Sequence, residues 1–248
     1  MCRLSSIPIL LCLLLPAWAA DQPQQPGITR EQADAILNEL RLIRQLLEKQ
    51  ARPAAPQPQH PAEGESPAKL KLDNPNWLGK KDAPVTVVEF TDYQCTFCQR
   101  FHIVTFPEIR KRYIDTGKVR FLSRDFPLDF HVNAFHAAEA ARCAGEQDQF
   151  WKMRDLLVAN PSRLSENDIL MHGESLSLKM EPFRTCLSSG KYREAIQKDM
   201  AEATSLNISG TPSFIIGRTT PDGVDGAILV GAQPVEAFEA KFKELGLK

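Results

Sequence analysis

Two cysteines separated by two residues lie where a strand passes into a helix. Residues 85–90 (VTVVEF) form a β-branched and aromatic run of strand length, and the segment from Cys98 to Asp115 has the character of a helix. Cys95 and Cys98 therefore fall in the first turn of that helix, where two sulfurs can close a small disulfide ring with little rearrangement. The arrangement predicts an α/β protein whose chemistry is centred on sulfur.

The start of a helix favours a negative charge on the first of the two sulfurs. Unpaired backbone N–H groups and the helix macrodipole should lower the thiol pKa of Cys95, and the thiolate is the attacking species in thiol–disulfide exchange. We therefore predict that Cys95 is the nucleophile and Cys98 the resolving thiol. Two alternatives stay open: a structural disulfide, or half of a zinc site with His102 as a third ligand. A packed helix residue is the simpler interpretation of His102.

Two further features suit a redox pair. Glu89 lies six residues before Cys95 in an otherwise apolar strand, where a buried carboxylate can relay the proton of the resolving thiol. Alternation along a half-exposed strand would instead point Glu89 to water. Pro212 follows Thr211 and precedes the predicted strand 213–217 (SFIIG), and a cis bond at that proline would be a fixed functional feature.

Charge balance excludes one class of function. The chain has 30 Lys and Arg residues against 31 Asp and Glu residues, so it lacks the basic surface of a dedicated nucleic-acid binder. A non-redox alternative is a chaperone or metal-binding module that holds unfolded chains on an aromatic surface. The candidate aromatic residues are Phe97, Phe101, Phe126 and Phe130, although such residues more often belong to a core.

The N-terminus predicts export. Residues 1–19 contain Arg3, an apolar run from Ile7 to Leu15 and a small-residue cleavage pattern at Ala17-Trp18-Ala19, which together read as a signal peptide. The apolar run is too short to span a bilayer. We expect a soluble periplasmic protein that retains four cysteines.

A helical arm and a proline-rich linker precede the main domain. Residues 28–50 contain neither Gly nor Pro, and Ala33, Ile36, Leu40, Ile43 and Leu47 repeat at spacings of three and four, which predicts an amphipathic arm over residues 20–50. The arm either folds back on its own domain or joins a homodimer or trimer as a coiled coil. Residues 51–69 form the linker, where five prolines indicate a semi-rigid spacer.

The remaining segments complete an α/β pattern. We predict a second strand at 118–122, a mostly helical stretch from 132 to 206, strands at 213–217 and 227–230 around a turn at 221–226, and a last helix from 234 to 245. Together they predict a central mixed sheet flanked by helices.

Three segments resemble the DsbA-type disulfide oxidoreductases of the thioredoxin fold. They are VVEFTDYQCTFC, RDFPLDFHVNAFHAAEAARCA and SGTPSFIIG, in this order. The resemblance implies a thioredoxin domain over 70–248 with a helical insert at about 131–205, and no cofactor. It also implies that Cys95 and Cys98 are the redox pair, that Glu89 is the acidic residue beneath them, and that Pro212 is a cis-proline. The backbone of Thr211 would then hold an extended substrate peptide.

The resemblance has departures that bear on function. Thr96 and Phe97 replace the Pro-His of the strong oxidants, which predicts a weaker oxidant. The arm is similar in position to the oligomerisation segments of periplasmic disulfide isomerases and of trimeric suppressor-of-copper-sensitivity proteins. We favour an oxidase that acts on unfolded or misfolded secreted proteins with a membrane redox partner; an oligomeric isomerase or reductase is the alternative.

Two cysteines remain in the predicted insert. Cys143 and Cys186 lie 43 residues apart, and in an oxidising compartment they are most simply a structural disulfide. Two buried free thiols are the alternative.

Overall fold

The computed structural model describes residues 29–51, 67–72 and 77–247. The chain divides into two compact units, Met1–His60 and Pro61–Lys248. The predicted signal peptide at 1–19 and most of the predicted linker lie outside the described residues. No helix among the described residues is long and apolar enough to cross a membrane.

The first unit contains a single described helix, α1 (Arg30–Ala51). Its start is a capping box: the backbone N–H of Gln32 donates to Thr29 Oγ1 at 3.2 Å, and the Gln32 side chain accepts from the Thr29 N–H at 3.0 Å. Ile36, Leu40 and Ile43 of the predicted seam are each about half exposed. The predicted helical arm is therefore present as a helix with an uncovered apolar stripe.

The second unit is built on one six-stranded sheet in the order β1-β6-β5-β3-β4-β2. Strands β3 and β4 are parallel, and every other neighbouring pair is antiparallel. The strands are β1 (Pro67–Lys71), β2 (Trp77–Leu78), β3 (Val85–Thr91), β4 (Val119–Asp125), β5 (Ser213–Thr220) and β6 (Gly223–Val230). This mixed sheet confirms the predicted fold class.

Helices connect and cover these strands. Between β3 and β4, α2 (Thr96–Arg100) and α3 (Phe106–Ile109) each run on into a π-helical turn, at Phe101–Thr105 and Arg110–Ile114. Five helices separate β4 from β5, and α9 (Val235–Glu244) ends the domain. The five are α4 (Ala134–Gly145), α5 (Phe150–Ala159), α6 (Glu166–Ser175), α7 (Met180–Ser189) and α8 (Arg193–Ser205). They form the helical insert that the sequence predicts.

The central strand β3 is buried along its whole length because apolar clusters cover both of its faces. Val87 packs with Phe101, Phe121 and Phe214 on one face, and Val88 belongs to the cluster on the other. Side chains alternate between the faces of a strand, so Glu89 shares the face of Val87. The structure thereby places a carboxylate inside the main core.

Strands β1 and β6 differ from the expectations, and the two-residue strand β2 was not predicted. The linker predicted to reach residue 69 ends where β1 begins, because Ala68 and Leu70 alternate inward onto the sheet. The turn predicted at 221–226 is wrong beyond residue 222, since β6 already pairs with β5 from Gly223. Gly226 lies so close to β5 that a Cβ there would be 2.1 Å from the carbonyl oxygen of Ile216. Glycine marks a tight strand approach here and not a loop.

Candidate active site

Cys95 and Cys98 lie at the junction between β3 and α2. Cys95 is the N-cap residue of α2, and its carbonyl accepts from the N–H of Gln99 at 3.0 Å. Its own N–H donates to the carbonyl of Asp92 at 3.2 Å. Both cysteines are free thiols, and they lie at the strand-to-helix turn that the sequence predicts.

The sulfur of Cys95 is electrostatically activated. A hydrogen bond from the Cys98 side chain lowers its pKa most, followed by bonds from Thr211 and from the backbone N–H groups of Cys98 and Phe97. Burial opposes these effects, and the net result is a pKa of about 5. A thiol with this pKa is a thiolate at neutral pH, which is the form that attacks disulfides.

The sulfur of Cys98 has the opposite character. It is fully buried, and burial raises its pKa well above the ordinary value, with further contributions from Cys95 and from the negative charge of Glu89. Its one backbone donor is the N–H of Asp92, at 3.5 Å. Cys98 is therefore held as a thiol behind the thiolate.

The Thr211-Pro212 peptide bond faces the pair. The bond is cis, and the sulfur of Cys95 lies 3.4 Å from the carbonyl oxygen of Thr211. The carbonyl of Pro212 accepts from the N–H of Gly231 at 2.8 Å, which ties this segment to the end of β6. Two distant parts of the chain thus meet at one sulfur.

Glu89 is completely buried in a cluster with His102 and Arg154. His102 Nε2 lies 2.9 Å from Glu89 Oε1, and the guanidinium of Arg154 donates to Glu89 Oε2. Burial raises the pKa of Glu89, but the charges and hydrogen bonds of His102 and Arg154 outweigh it and leave that pKa below its usual range. Glu89 is therefore buried, as expected, and its carboxylate is paired with His102 and Arg154.

Asp92 organises the turn that leads to Cys95. Its carboxylate accepts from the N–H of Gln94 at 2.7 Å and from the N–H of Leu128 at 2.8 Å, and it lies 2.8 Å from His131 Nδ1. The Gln94 side chain in turn accepts from the N–H of Asn133 at 2.9 Å. The loop after β4 is thereby fastened to the turn before the reactive sulfur.

The four phenylalanines considered for an aromatic binding surface separate into two groups. Phe101 and Phe126 are buried in the two clusters that cover the sheet, so the prediction of an aromatic binding surface is wrong for both. Phe97 and Phe130 are exposed by 59% and 74%. Phe97 lies between the two cysteines, and Phe130 is in the loop held by Asp92.

Cys143 and Cys186 are joined to each other in the insert. Their disulfide links α4 to α7, with the Cα atoms 5.8 Å apart. Both residues belong to the insert's own apolar cluster. This pair is therefore separate in place and state from Cys95 and Cys98.

The zinc alternative has no support in the geometry. His102 directs Nε2 to Glu89 and not to the sulfurs. Within the described ranges, no group of three or more His, Cys, Asp or Glu side chains is placed to hold a metal ion.

Two polar residues of the site escaped the sequence reasoning. The sequence contains a signal for Asp92, because an Asp at the end of a strand often accepts a hydrogen bond from the N–H two residues on. Asp92 does so here from Gln94. Arg154 had none, since it lies 65 residues from Glu89 in the insert. Only the tertiary fold brings that arginine to Glu89.

Comparisons with known proteins agree with this geometry. A family model described as thioredoxin matches residues 71–225. A probable disulfide bond formation protein D from Bacillus anthracis is 33% identical over 149 residues, covering 56% of this chain and 68% of that protein. The crystal structure of alpha-DsbA1 from Wolbachia pipientis is similar with a TM-score of 0.63 and 28% identity, covering 71% of this chain and 92% of that one.

A longer relative contains a similar segment. The Na(+)/H(+) antiporter NhaA 3 of Salinispora tropica is 35% identical over 167 residues, which are 67% of this chain and 25% of the antiporter. The chain thus spans a quarter of the length of that relative.

Proposed function

We propose, from the premise that this chain belongs to the thioredoxin family and its DsbA-like oxidoreductases, that Cys95 and Cys98 exchange disulfides with cysteine-containing proteins. The observation that carries the proposal is that the pKa values of two sulfurs three residues apart are shifted in opposite directions. The pKa of Cys95 is about 5, while that of Cys98 is well above its ordinary value. In such a pair, one sulfur is a good nucleophile and a good leaving group, and the other stays protonated as a thiol.

The oxidising direction proceeds in two balanced steps. A substrate thiolate attacks the sulfur of Cys95 in the Cys95–Cys98 disulfide, a mixed disulfide forms, and Cys98 leaves and takes up a proton. A second substrate thiolate then attacks the substrate sulfur of the mixed disulfide, and Cys95 leaves as a thiolate. The substrate loses two electrons to the pair. The low pKa of Cys95 favours this direction because a stable thiolate is a good leaving group.

The Thr211 carbonyl is the proposed guide for the substrate. It lies 3.4 Å from the sulfur of Cys95 and adjoins the cis bond to Pro212. An extended peptide that pairs with this backbone would carry its own sulfur to Cys95. In this proposal Thr211 and Pro212 orient the substrate, and Glu89 exchanges the proton of Cys98.

The proposed setting is the periplasm. The signal peptide expected at 1–19 supports export, and an oxidising compartment suits the disulfide between Cys143 and Cys186. The proposed substrates are unfolded or misfolded secreted proteins. A membrane redox partner would then reoxidise the Cys95–Cys98 pair after each turnover.

The arm supports a second candidate, an oligomeric isomerase. Ile36, Leu40 and Ile43 are about half exposed along one stripe of α1, and an isolated helix of this length is marginal in water without a partner. We propose that α1 joins a homodimer or trimer. Several active sites around one misfolded substrate would favour reshuffling of its disulfides.

One experiment tests the activity and separates the two candidates. The oxidised full-length protein and a variant lacking residues 20–66, which leaves β1 intact, are each mixed with reduced, unfolded ribonuclease A. Both proteins should form disulfides in the ribonuclease at similar rates, as measured by loss of free thiols.

The same two proteins are then compared in their reduced forms with ribonuclease that has scrambled disulfides. Recovery of active ribonuclease should fall to background in the variant if the arm supports isomerisation. A full-length protein that is monomeric by light scattering removes the isomerase candidate, and a protein that oxidises no thiols removes the proposed function.

A further inference from the structure

One arginine of the helical insert lies in the main core. Arg154 of α5 is fully buried, and its guanidinium meets the carboxylate of Glu89 on the central strand. The other carboxylate oxygen, Oε1, lies 2.9 Å from His102 Nε2. Both oxygens of Glu89 therefore have a nitrogen partner, and one partner comes from outside the thioredoxin sheet and its own helices.

Arg154 is held rigidly in this position. Its Nε donates to Ser123 Oγ at 2.9 Å, and Ser123 is the residue of β4 that pairs in register with Glu89. The guanidinium carbon lies 5.1 Å from the centre of the Trp151 ring, a distance at which cation–π attraction adds to the hold. The geometry fixes the cation against one carboxylate and one strand position.

This contact favours the ionised form of Glu89. An isolated buried carboxyl group takes up a proton, because burial disfavours the charged form. A guanidinium does not give up its proton in proteins, so Arg154 supplies a permanent positive charge. In agreement with this, His102 and Arg154 together lower the pKa of Glu89 in spite of its burial.

We infer that Arg154 is a positioning residue of the redox site, which keeps Glu89 ionised behind Cys98 so that the carboxylate accepts the Cys98 proton when Cys98 attacks. The inference rests on the proposed function and concerns the step that releases a mixed disulfide. In that step Cys98 passes its proton to Glu89 and attacks the sulfur of Cys95. A disulfide forms between the two cysteines, and the substrate sulfur leaves as a thiolate.

His102 lies between Glu89 and the protein surface. Its Nε2 lies 2.9 Å from Glu89 Oε1 and 2.6 Å from Arg154 Nη2, and its Nδ1 lies 3.3 Å from Arg154 Nη1. The same ring forms part of the wall of a surface groove of about 200 Å³ between the helix after Cys98 and α5. The imidazole of His102 therefore lies between Glu89 and the solvent of this groove.

The titratable groups that face Glu89 come from several elements. Arg154 lies on α5, His102 on the π-helical turn after α2, and Cys98 on α2 itself. Tyr93 also interacts electrostatically with Glu89 and Arg154, and Asp155 lies 3.9 Å from Arg154 Nη1. Of these, Arg154 is the group whose removal leaves Glu89 without a permanent counter-charge.

The experiment measures release of a glutathione mixed disulfide in the full-length protein. Reduced protein reacts with oxidised glutathione, samples are quenched with acid, and mass spectrometry follows the Cys95–glutathione adduct over time. Arg154→Met should slow release of the adduct on the order of 100-fold, the lower end of what a positioned proton acceptor contributes. The slowed release should also gain a pH dependence, because Glu89 must then lose a proton before it can accept one.

Four variants control for structure. Arg154→Lys keeps the positive charge and should restore most of the rate. Glu89→Gln should slow release to the same extent, and adding Arg154→Met to it should have no further effect, since neither variant then holds an ionised carboxylate. Arg142→Met removes an arginine that pairs with Asp125 and Asp199 instead of Glu89. It should leave release unchanged, which separates the charge of Arg154 from the docking of the insert.

The outcomes distinguish this inference from the proposed function. Unchanged release in Arg154→Met, or an equal further loss when that change is added to Glu89→Gln, overturns the positioning role while the adduct still forms. Failure of Cys95 to form the adduct in the unaltered protein overturns the proposed function itself. If Arg154→Met does not fold, the Glu89→Gln/Arg154→Met pair, which removes both buried charges together, is compared with Glu89→Gln alone.

Discussion

The part of the chain that the structure describes contains two cysteine pairs, which differ in spacing and in oxidation state. Cys143 and Cys186 are 43 residues apart and are joined across two helices of the insert. Cys95 and Cys98 lie in one helical turn, and both are free. The first pair connects elements that already pack together, whereas the second lies beside the backbone of Thr211.

The difference lies in the surroundings of the sulfurs as well as in their spacing. By the loop-entropy relation, closing a loop of 43 residues stabilises the folded state by about 4 kcal/mol, while a ring of about four residues gains only about 2 kcal/mol. Opening a disulfide between Cys95 and Cys98 would therefore destabilise the folded state less than opening the disulfide between Cys143 and Cys186. The Cys98 side chain and, to a smaller extent, the backbone N–H groups of the helix start also stabilise a thiolate on Cys95, which a structural disulfide does not require.

The largest predicted effect comes from replacing one cysteine of the short pair at a time. Cys95→Ser should abolish thiol oxidation, because no nucleophile or leaving thiolate remains. Cys98→Ser should form a lasting mixed disulfide with a peptide disulfide, because the resolving thiol is absent. Mass spectrometry of the quenched reactions measures both outcomes.

The two cysteine variants also test the assignment of roles. If Cys95→Ser forms the lasting adduct and Cys98→Ser does not, the roles of the two sulfurs are reversed. Neither variant should lose the disulfide between Cys143 and Cys186.

A smaller effect is predicted for the long pair. Replacing Cys143 and Cys186 together by Ala should lower the free energy of unfolding by about 4 kcal/mol, within the usual range of about 2–5 kcal/mol for a native disulfide. Urea unfolding measures the change. The rate of thiol oxidation at a temperature where the variant is folded should stay within about twofold of the original rate, since the redox site lies on separate elements.

The comparison between the pairs fails under either of two results. A loss of oxidation in the folded Cys143→Ala/Cys186→Ala variant would make the long pair part of the chemistry. An unchanged unfolding free energy would remove its structural role.

Local patterns were sufficient for the centre of the fold. The apolar run before Cys95 predicts β3, and the helix after it follows from the same short segment, so the strand-to-helix turn could be located in advance. β1 was missed because a proline opens it and only two of its five residues are buried. The start of β6 was missed because its glycines serve close strand packing, which single-sequence patterns read as a turn.

The site was predictable to the extent that its residues are neighbours in sequence. The positions of Cys95, Cys98 and Glu89 follow from one strand and one turn, and the resemblance adds Thr211 and Pro212. The charge state of Glu89 was not predictable, because its counter-ion Arg154 lies on a helix 65 residues away. Long-range ion pairs of this kind depend on how the insert packs on the sheet.

The most direct test of the account is the titration of Cys95 in the reduced protein. The ultraviolet absorbance of the thiolate is followed against pH, with Cys95→Ser as the control that should lack the transition. The activated sulfur should ionise with a midpoint near pH 5, so that the thiolate persists at neutral pH and is lost as the pH falls through that value. A midpoint near the ordinary thiol value of about 8.5, or the same curve in Cys95→Ser, would contradict the account.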